Sequence, residues 1–370
     1  MRTQALVVDE LNAPFLLKDI DIEEPQPNEV LVKVTACGLC HTDLIMQIGA
    51  IPTAFPCCLG HEGGGQVVQV GSAVTRCKPG DHVLLSFSSC GECAYCKADT
   101  PAGCAQFYRQ NFDRYRNHEV KGKPAAKDAE TGAAVATTFF GQSTLARHAL
   151  VVESTIVVVP PGTDLITFSP LGCGLQSGAG AVLNHLRPAA GSSIAIFGLG
   201  AVGFAALWAA VHLRCSPIIV VDVVPSRLEL AKKHGAHVLV NGREDVVQQV
   251  QAATGGLGVK YAVECSGVAA VLGNAWNCLA NFGHVVSVGN PGPLIQPPIH
   301  IHDAVNHSRT WSGLAEGLSN PPEFIPFLIK LYEQGAFPIN DIAKAFPVEQ
   351  FDEAVAAMKR GEFIKPIITF

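Results

Sequence analysis

Ser193-Ile-Ala-Ile-Phe-Gly198-Leu-Gly200-Ala-Val-Gly203 decides the fold of the second half of this chain. A short apolar run suited to a buried strand leads into three glycines at G-x-G-x-x-G spacing, and Ala201 to Leu213 then carries helical content. Nineteen residues after Gly203, Asp222 closes a second apolar run, Pro217-Ile-Ile-Val-Val-Asp222. Strand, glycine turn, helix, strand and terminal acid form the fingerprint of a dinucleotide-binding βαβ unit. The glycines permit a tight turn, close approach of backbone to a pyrophosphate, and close packing of helix on strand. The helix start at Ala201 offers amide donors and a positive dipole end to phosphate. Asp222 would accept hydrogen bonds from the adenosine ribose hydroxyls, and its charge would repel a 2′-phosphate. NAD(H) is therefore expected rather than NADP(H); Arg227, five residues on, can reach the same ribose and weakens that preference.

The same alternation continues outward. Ser226 to His234 reads as a second helix, Val259–Glu264 and His284–Gly289 as further strands, and Val268 to Leu279 as the segment between them. Alternating strand and helix predicts a doubly wound parallel sheet, an α/β architecture. After about Gly313 the alternation stops, with helices expected near Pro322–Gln334 and Val348–Arg360 and a last strand at Pro366–Phe370. Before residue 150 the pattern is β-rich instead: Glu29–Thr35, Gln66–Val70 and Asp81–Ser86 are short, turn-separated strands. Lys121 to Ala136 is polar and rich in Gly and Ala, and reads as a surface loop.

Cys90, Cys93, Cys96 and Cys104 stand at spacings of two, two and seven residues. Four thiolates that close make a tetrahedral soft-ligand cage, which suits Zn²⁺ and leaves no open position. This lobe, 90–104, is expected to bind a structural zinc. Cys40, in Gly38-Leu-Cys-His-Thr-Asp43, His61, in Gly60-His-Glu62, and Cys173, between two glycines, are further ligand types, but spacing alone does not bring them together. His300/His302 and His234/His237 have no companion ligands nearby and read as structural histidines. Cys37, Cys57, Cys58, Cys215, Cys265 and Cys278 read as small buried hydrophobes.

The 370 residues suffice for about two domains, and 48% hydrophobic against 16% charged content allows a sizeable core. A net charge of −6 without a basic tract gives no reason to expect nucleic acid or an anionic membrane as partner. The first residues turn acidic at Asp9 before a signal-peptide core could form, and no apolar run reaches the ~18 residues needed to span a bilayer. Thirteen cysteines in that setting point to a reducing, cytoplasmic location with thiols kept for metal.

Gly60-His-Glu-x-x-Gly65 followed by Gly71 and Val74, the four-cysteine lobe, the glycine fingerprint and Asp222 follow one another in the order of a known family. The chain resembles the zinc-containing alcohol dehydrogenases of the medium-chain dehydrogenase/reductase family, most of all their aryl-alcohol (benzyl-alcohol) branch. Cys37-Gly-Leu-Cys-His-Thr-Asp-Leu44 and Leu171-Gly-Cys-Gly-Leu-Gln-Ser-Gly178 support that branch. The resemblance implies a GroES-like β-rich catalytic domain at 1–177 and 313–370, and an NAD-binding Rossmann domain at 178–312. It implies two zinc ions per chain, one structural and one catalytic, the latter on Cys40, His61 and Cys173 with Glu62 close behind as a transient ligand. Asp43 would orient His61. Thr42 would pass the alcohol proton to the nicotinamide ribose, and His41 and Lys365 would face the cofactor pyrophosphate beside Gly198, Gly200, Val202 and Gly203. Many members carry a relay histidine three positions after Thr42, where this chain has Ile45. The implied substrate is a primary aromatic or allylic alcohol or its aldehyde, with Phe87 and Phe139 lining the pocket, and the implied assembly a homodimer or homotetramer. Two alternatives stand beside this reading: an NADPH-linked aldehyde reductase of a biosynthetic pathway, and a non-catalytic zinc- and dinucleotide-binding protein.

Overall fold

The computed structural model describes residues 1–112, 124–292 and 294–370. Its contacts divide into two compact units: Met1–Cys173 with Asn320–Lys330 and Pro338–Phe370, and Gly174–Ser319 with Leu331–Phe337.

The first unit is built on two sheets. Glu29–Gly38 is the spine of the larger one, paired with Gly63–Val70, His148–Val152 and the C-terminal strand Lys365–Thr369. Eight of its ten residues are buried, which explains why its sequence is nearly continuous in apolar residues rather than alternating. Lys365–Thr369 runs antiparallel to it, with Ile367 opposite Gly38, so the chain's end is delivered beside the Gly38-Leu-Cys segment. The second sheet has the order Cys57–Cys58, Arg2–Val8, Phe15–Ile22, Ala126–Asp128, Ala134–Val135. The expected surface loop at 121–136 thus contributes two short strands. Asp128 fastens the turn between them by accepting hydrogen bonds from the Glu130 and Thr131 amides, and Ala125 and Ala126 are buried. Residues 121–123 of that stretch lie outside the described residues.

The second unit carries a parallel sheet in the order Val238–Asn241, Ile218–Asp222, Ile194–Phe197, Val259–Glu264, Leu279–Ser287, Thr310–Gly313. Numbered along the chain this is 3-2-1-4-5-6, the doubly wound order, and the winding reverses between Ile194–Phe197 and Val259–Glu264. Every residue of Ile194–Phe197 and of Ile218–Asp222 is buried, as strands covered on both faces require. The helix Ala201–His212 is apolar on all sides because Gly203 to Ala210 are all buried. The last strand, Thr310–Gly313, lies just before the point where the sequence pattern stops alternating; Thr310, Trp311 and Gly313 are exposed, so no apolar run marks it. Among the described residues no helix is long and apolar enough to cross a membrane.

Candidate functional site

Two clusters of metal-ligand side chains lie in the first unit. In each, one ligand atom per residue falls within 4.8 Å of all the others: Cys90, Cys93, Cys96 and Cys104, and Cys40, His61, Glu62 and Cys173. None of the cysteines is in a disulfide.

The first cluster is local. The short helix Ala94–Lys97 and the 3-10 turn Pro101–Gly103 fold the four thiols together. Backbone amides point at the sulfurs: Cys93 N at Cys90 Sγ (3.4 Å), Cys90 N and Gln106 N at Cys104 Sγ (3.4 Å each), and Ala105 N at Cys93 Sγ (3.5 Å). Such donors favour thiolate over thiol. The Ala105 amide is the first cause that brings Cys93 down to about 6. Four close sulfurs, three of them faced by backbone amides, fit a closed tetrahedral zinc site.

The second cluster draws on three distant segments. Cys40 precedes the helix His41–Gln47 as its N-cap, and Asp43 in the first turn turns back to accept from the Cys40 amide at 3.0 Å. That capping box fixes Asp43, fully buried, with Oδ1 3.0 Å from both Gly60 N and His61 Nδ1. With a carboxylate facing Nδ1, the imidazole proton belongs there and the lone pair is left on Nε2. His61 Nε2 is buried and has no hydrogen-bond partner among the described residues. An orphaned, buried imidazole nitrogen beside two thiols and a carboxylate fits a metal ligand and little else. Cys173 follows the turn Ser169–Gly172, which presses on the strand His82–Leu85: Ser86 Oγ donates to Gly172 O at 2.8 Å, and a Cβ on Gly172 would stand 2.1 Å from Leu85 O. The Cys40 thiol is held well below the usual range, first by its bond to Cys173 and then, against burial, by His61. Burial alone would lower His61, but Asp43 and Cys40 outweigh it and hold it well above its ordinary value.

Behind the ligands sits an ion pair that the sequence does not advertise. Lys365 Nζ donates to both oxygens of Glu62 at 2.9 Å and to Leu39 O at 3.1 Å, with Lys365 3% and Glu62 0% exposed. The glutamate overrides the cost of burial and keeps the lysine charged beyond its normal range. Lys365, expected to face a cofactor pyrophosphate, is here committed to Glu62. His41 is exposed at the start of its helix, and Thr42 Oγ1 lies 3.4 Å from Cys40 Sγ. Phe139 stands edge-on to the His61 ring (5.1 Å between centroids), whereas Phe87 packs on Phe107.

Sequence reasoning missed two further parts. Phe140 stacks on His61 at 4.6 Å from a left-handed backbone conformation (φ 51°), and Gln142 clamps the loop, donating to His61 O and Ser86 O at 2.9 Å each. Phe140 and Gln142 touch His61 only across some eighty positions of chain, so no local spacing marks them.

In the second unit the fingerprint has the geometry its glycines imply. Gly198 has φ +88°, and a Cβ on Gly203 would lie 1.9 Å from Gly198 O. Around Gly200 a Cβ would meet nothing within 4 Å, so protein packing does not require that glycine; the open space is a cradle fit for phosphate. Asp222 Oδ2 accepts from Leu199 N (2.6 Å) and Oδ1 from Val224 N (2.8 Å), while Arg227 Nη1 stands 4.0 Å from Oδ2.

The comparisons agree with this geometry. Residues 26–161 match the family model described as an alcohol dehydrogenase GroES-like domain, and residues 201–333 the model described as a zinc-binding dehydrogenase. The chain is 37% identical to geraniol dehydrogenase of Castellaniella defragrans over 99% of this chain and 97% of the relative. It is 35% identical to alcohol dehydrogenase 1 of Pisum sativum over 100% and 97%. Among solved structures it superposes on an alcohol dehydrogenase zinc-binding domain protein from Burkholderia ambifaria (TM-score 0.95, 41% identity, 100% of this chain and 99% of that one). It does so equally on benzyl alcohol dehydrogenase from Acinetobacter calcoaceticus (TM-score 0.94, 37% identity, 100% and 99%). A GroES-like β-rich unit bearing two thiol-rich metal clusters, and a doubly wound unit bearing the glycine loop, thus meet in one chain, which belongs to the zinc-dependent alcohol dehydrogenases of the medium-chain dehydrogenase/reductase family.

Proposed function

We propose that the chain interconverts a primary alcohol on an aromatic or allylic carbon with its aldehyde, using NAD(H). The observation that carries the reading is the orphaned Nε2 of His61 facing Cys40 and Cys173. The substrate class rests on the aromatic wall of Phe139 and Phe140 at His61, and on relatives named for geraniol and benzyl alcohol.

Cys40, His61 and Cys173 hold the catalytic zinc, and Cys90, Cys93, Cys96 and Cys104 the structural one. When bound, zinc supplies an electrophile for the substrate oxygen and the nicotinamide supplies the hydride acceptor. Asp43 keeps the His61 lone pair on Nε2. Thr42 Oγ1 takes the alcohol proton in a hydrogen bond and hands it on. Lys365 anchors Glu62, which stays within reach of the metal. Phe139 and Phe140 exclude water and favour a flat unsaturated group. His41 is the exposed imidazole that meets cofactor phosphate. Gly198, Gly200, Val202 and Gly203 seat the pyrophosphate and Asp222 takes the ribose hydroxyls; Arg227 offsets part of the Asp222 charge, which gives NADP(H) a weaker, secondary place.

We place the protein in the cytoplasm, since thirteen cysteines outside any disulfide suit a reducing compartment. It assembles as a homodimer or a pair of dimers through the sheet edge Thr310–Gly313; in the helix that precedes it in the chain, Ile301 (81% exposed) and Val305 (71%) stand out in solvent. Following NADH absorbance across aromatic, allylic and saturated alcohols, with NADP as the parallel cofactor, tests the activity; turnover of saturated alcohols alone would overturn the substrate class.

A further inference from the structure

Gly198, the first glycine of the dinucleotide loop, rests against a turn from the neighbouring strand, and that turn is tied to one buried carboxylate. Glu264 ends Val259–Glu264 and is 2% exposed. Its Oε1 accepts from Ser266 N (2.6 Å), Gly267 N (3.0 Å) and Ser266 Oγ (2.5 Å). Among the described residues its partners are donors of that turn and not a cation. On the far side, a Cβ built on Gly198 would stand 3.1 Å from Ser266 N and 3.2 Å from Ser266 Cβ, and Cys265 N donates to Phe197 O at 2.8 Å. The turn also abuts the next strand's exit: a Cβ on Gly289 would lie 2.1 Å from Gly267 N and 3.0 Å from Glu264 Oε2. Three loops, at Gly198, Ser266–Gly267 and Gly289–Asn290, therefore meet at the carboxyl ends of three adjacent parallel strands, where a doubly wound sheet takes its ligand.

Ser266 itself is exposed, so water competes for its amide and hydroxyl. A charge-assisted acceptor holds such a turn better than a neutral one, at the cost of burying a carboxylate. That cost shows as an upward push on the Glu264 carboxyl from burial, only partly offset by Ser266 and Gly267. We infer that Glu264 is a positioning residue for the nucleotide: through the Ser266–Gly267 turn it sets the seat of Gly198 and hence of the phosphate loop. The inference rests on the dinucleotide reading of that loop.

Glu264→Ala, Glu264→Gln and Ser266→Ala, each made in the full-length chain, test it by fluorescence titration with NADH and NADPH, alongside zinc content and melting temperature. Glu264→Ala is expected to weaken nucleotide binding by about tenfold or more, the loss of charge-assisted bonds, with zinc still at wild-type content. Glu264→Gln, whose amide oxygen still accepts from both backbone amides, is expected to recover binding to within about threefold. Ser266→Ala, which cannot be expected to unfold the unit, should cost a few-fold. The inference fails if Glu264→Ala binds nucleotide as wild type does. It fails equally if Gln rescues melting temperature but not binding, or if Ala loses melting temperature and binding while Ser266→Ala leaves binding unchanged. A wild-type protein that binds neither nucleotide overturns the dinucleotide reading itself.

Discussion

The two thiol-rich clusters of the first unit share a ligand chemistry and differ in almost everything else. Cys90, Cys93, Cys96 and Cys104 come from one short stretch, are mostly half-exposed, and are steadied by the backbone amides of their own loop. Cys40, His61, Glu62 and Cys173 come from segments up to 133 positions apart, and His61 and Glu62 are fully buried. They are steadied by side chains from elsewhere: Asp43 on His61, Lys365 on Glu62. The contrast separates a cluster that folds the chain around a metal from one that the folded chain aims at a metal. A local cage needs only its loop to close, whereas an open site needs an outer set of residues to fix each ligand's protonation and direction.

Removing a ligand from each should break the comparison most sharply. His61→Ala is expected to lower alcohol oxidation by at least about 10³-fold, beyond the 10–100-fold typical of a residue that merely orients a ligand. Metal analysis should show one zinc retained per chain, and melting should change little. Cys93→Ser should reverse the pattern: one zinc lost, activity reduced far less than in His61→Ala, and melting lowered by roughly 5–10 °C as the lobe loses the ion that closes it. Calorimetry and metal analysis on the same samples check both; equal loss of activity from the two variants would erase the distinction.

The same contrast explains what the sequence revealed. The lobe was legible because its ligands are spaced within one loop, and the dinucleotide unit because strand, glycines and helix follow one another without interruption. The clustered residues Cys40, His61 and Cys173 could be named individually but assembled only by resemblance, since the strand pairings that join them carry no signature in local spacing. Lys365 shows the limit most clearly. A lysine five residues from the end of the sequence reads as a solvated or cofactor-facing cation. Only the pairing of Lys365–Thr369 with Glu29–Gly38 reveals that it is buried against Glu62, 303 positions away. Phe140 is hidden for a different reason: its left-handed backbone is imposed by the clamp of Gln142 and Ser143, not by a glycine or asparagine that would announce it. The strand Phe15–Ile22 exposes or half-exposes Leu16, Leu17, Lys18 and Asp19 and so lacks a clean alternation that would mark it in the sequence.

Asp43→Asn sharpens the comparison at the level of the outer residues. The amide can still accept at Oδ1 from Gly60 N, but its NH2 replaces the oxygen that accepts from the Cys40 amide, and the charge that fixes the His61 proton on Nδ1 is gone. Zinc affinity or activity at this site is expected to fall about 10–100-fold. The lobe, which has no such carboxylate, should keep its metal under the same chelator challenge. Chelator titration with a colorimetric zinc readout separates the two ions; simultaneous release from both sites would show that Asp43 acts on the whole unit rather than on one ligand.

Ile45→His carries the smallest expected effect and bears on how the open site passes its proton. Ile45 is half-buried on the helix His41–Gln47, one turn from Thr42, and a hydrocarbon there can neither donate nor accept. A histidine at that place adds a group that titrates near ~6.5, so it should assist oxidation of an alcohol above that pH and lose its effect below it, where the ring is already protonated. The gain is expected to be a few-fold, near the lower end of what proton transfer by a placed side chain contributes. It should appear as a new limb in the pH–rate profile, with zinc content and nucleotide affinity unchanged. A profile that coincides with wild type at every pH would mean that the proton from Thr42 leaves by a path that does not pass position 45, and would direct attention to the exposed His41 at the start of the same helix.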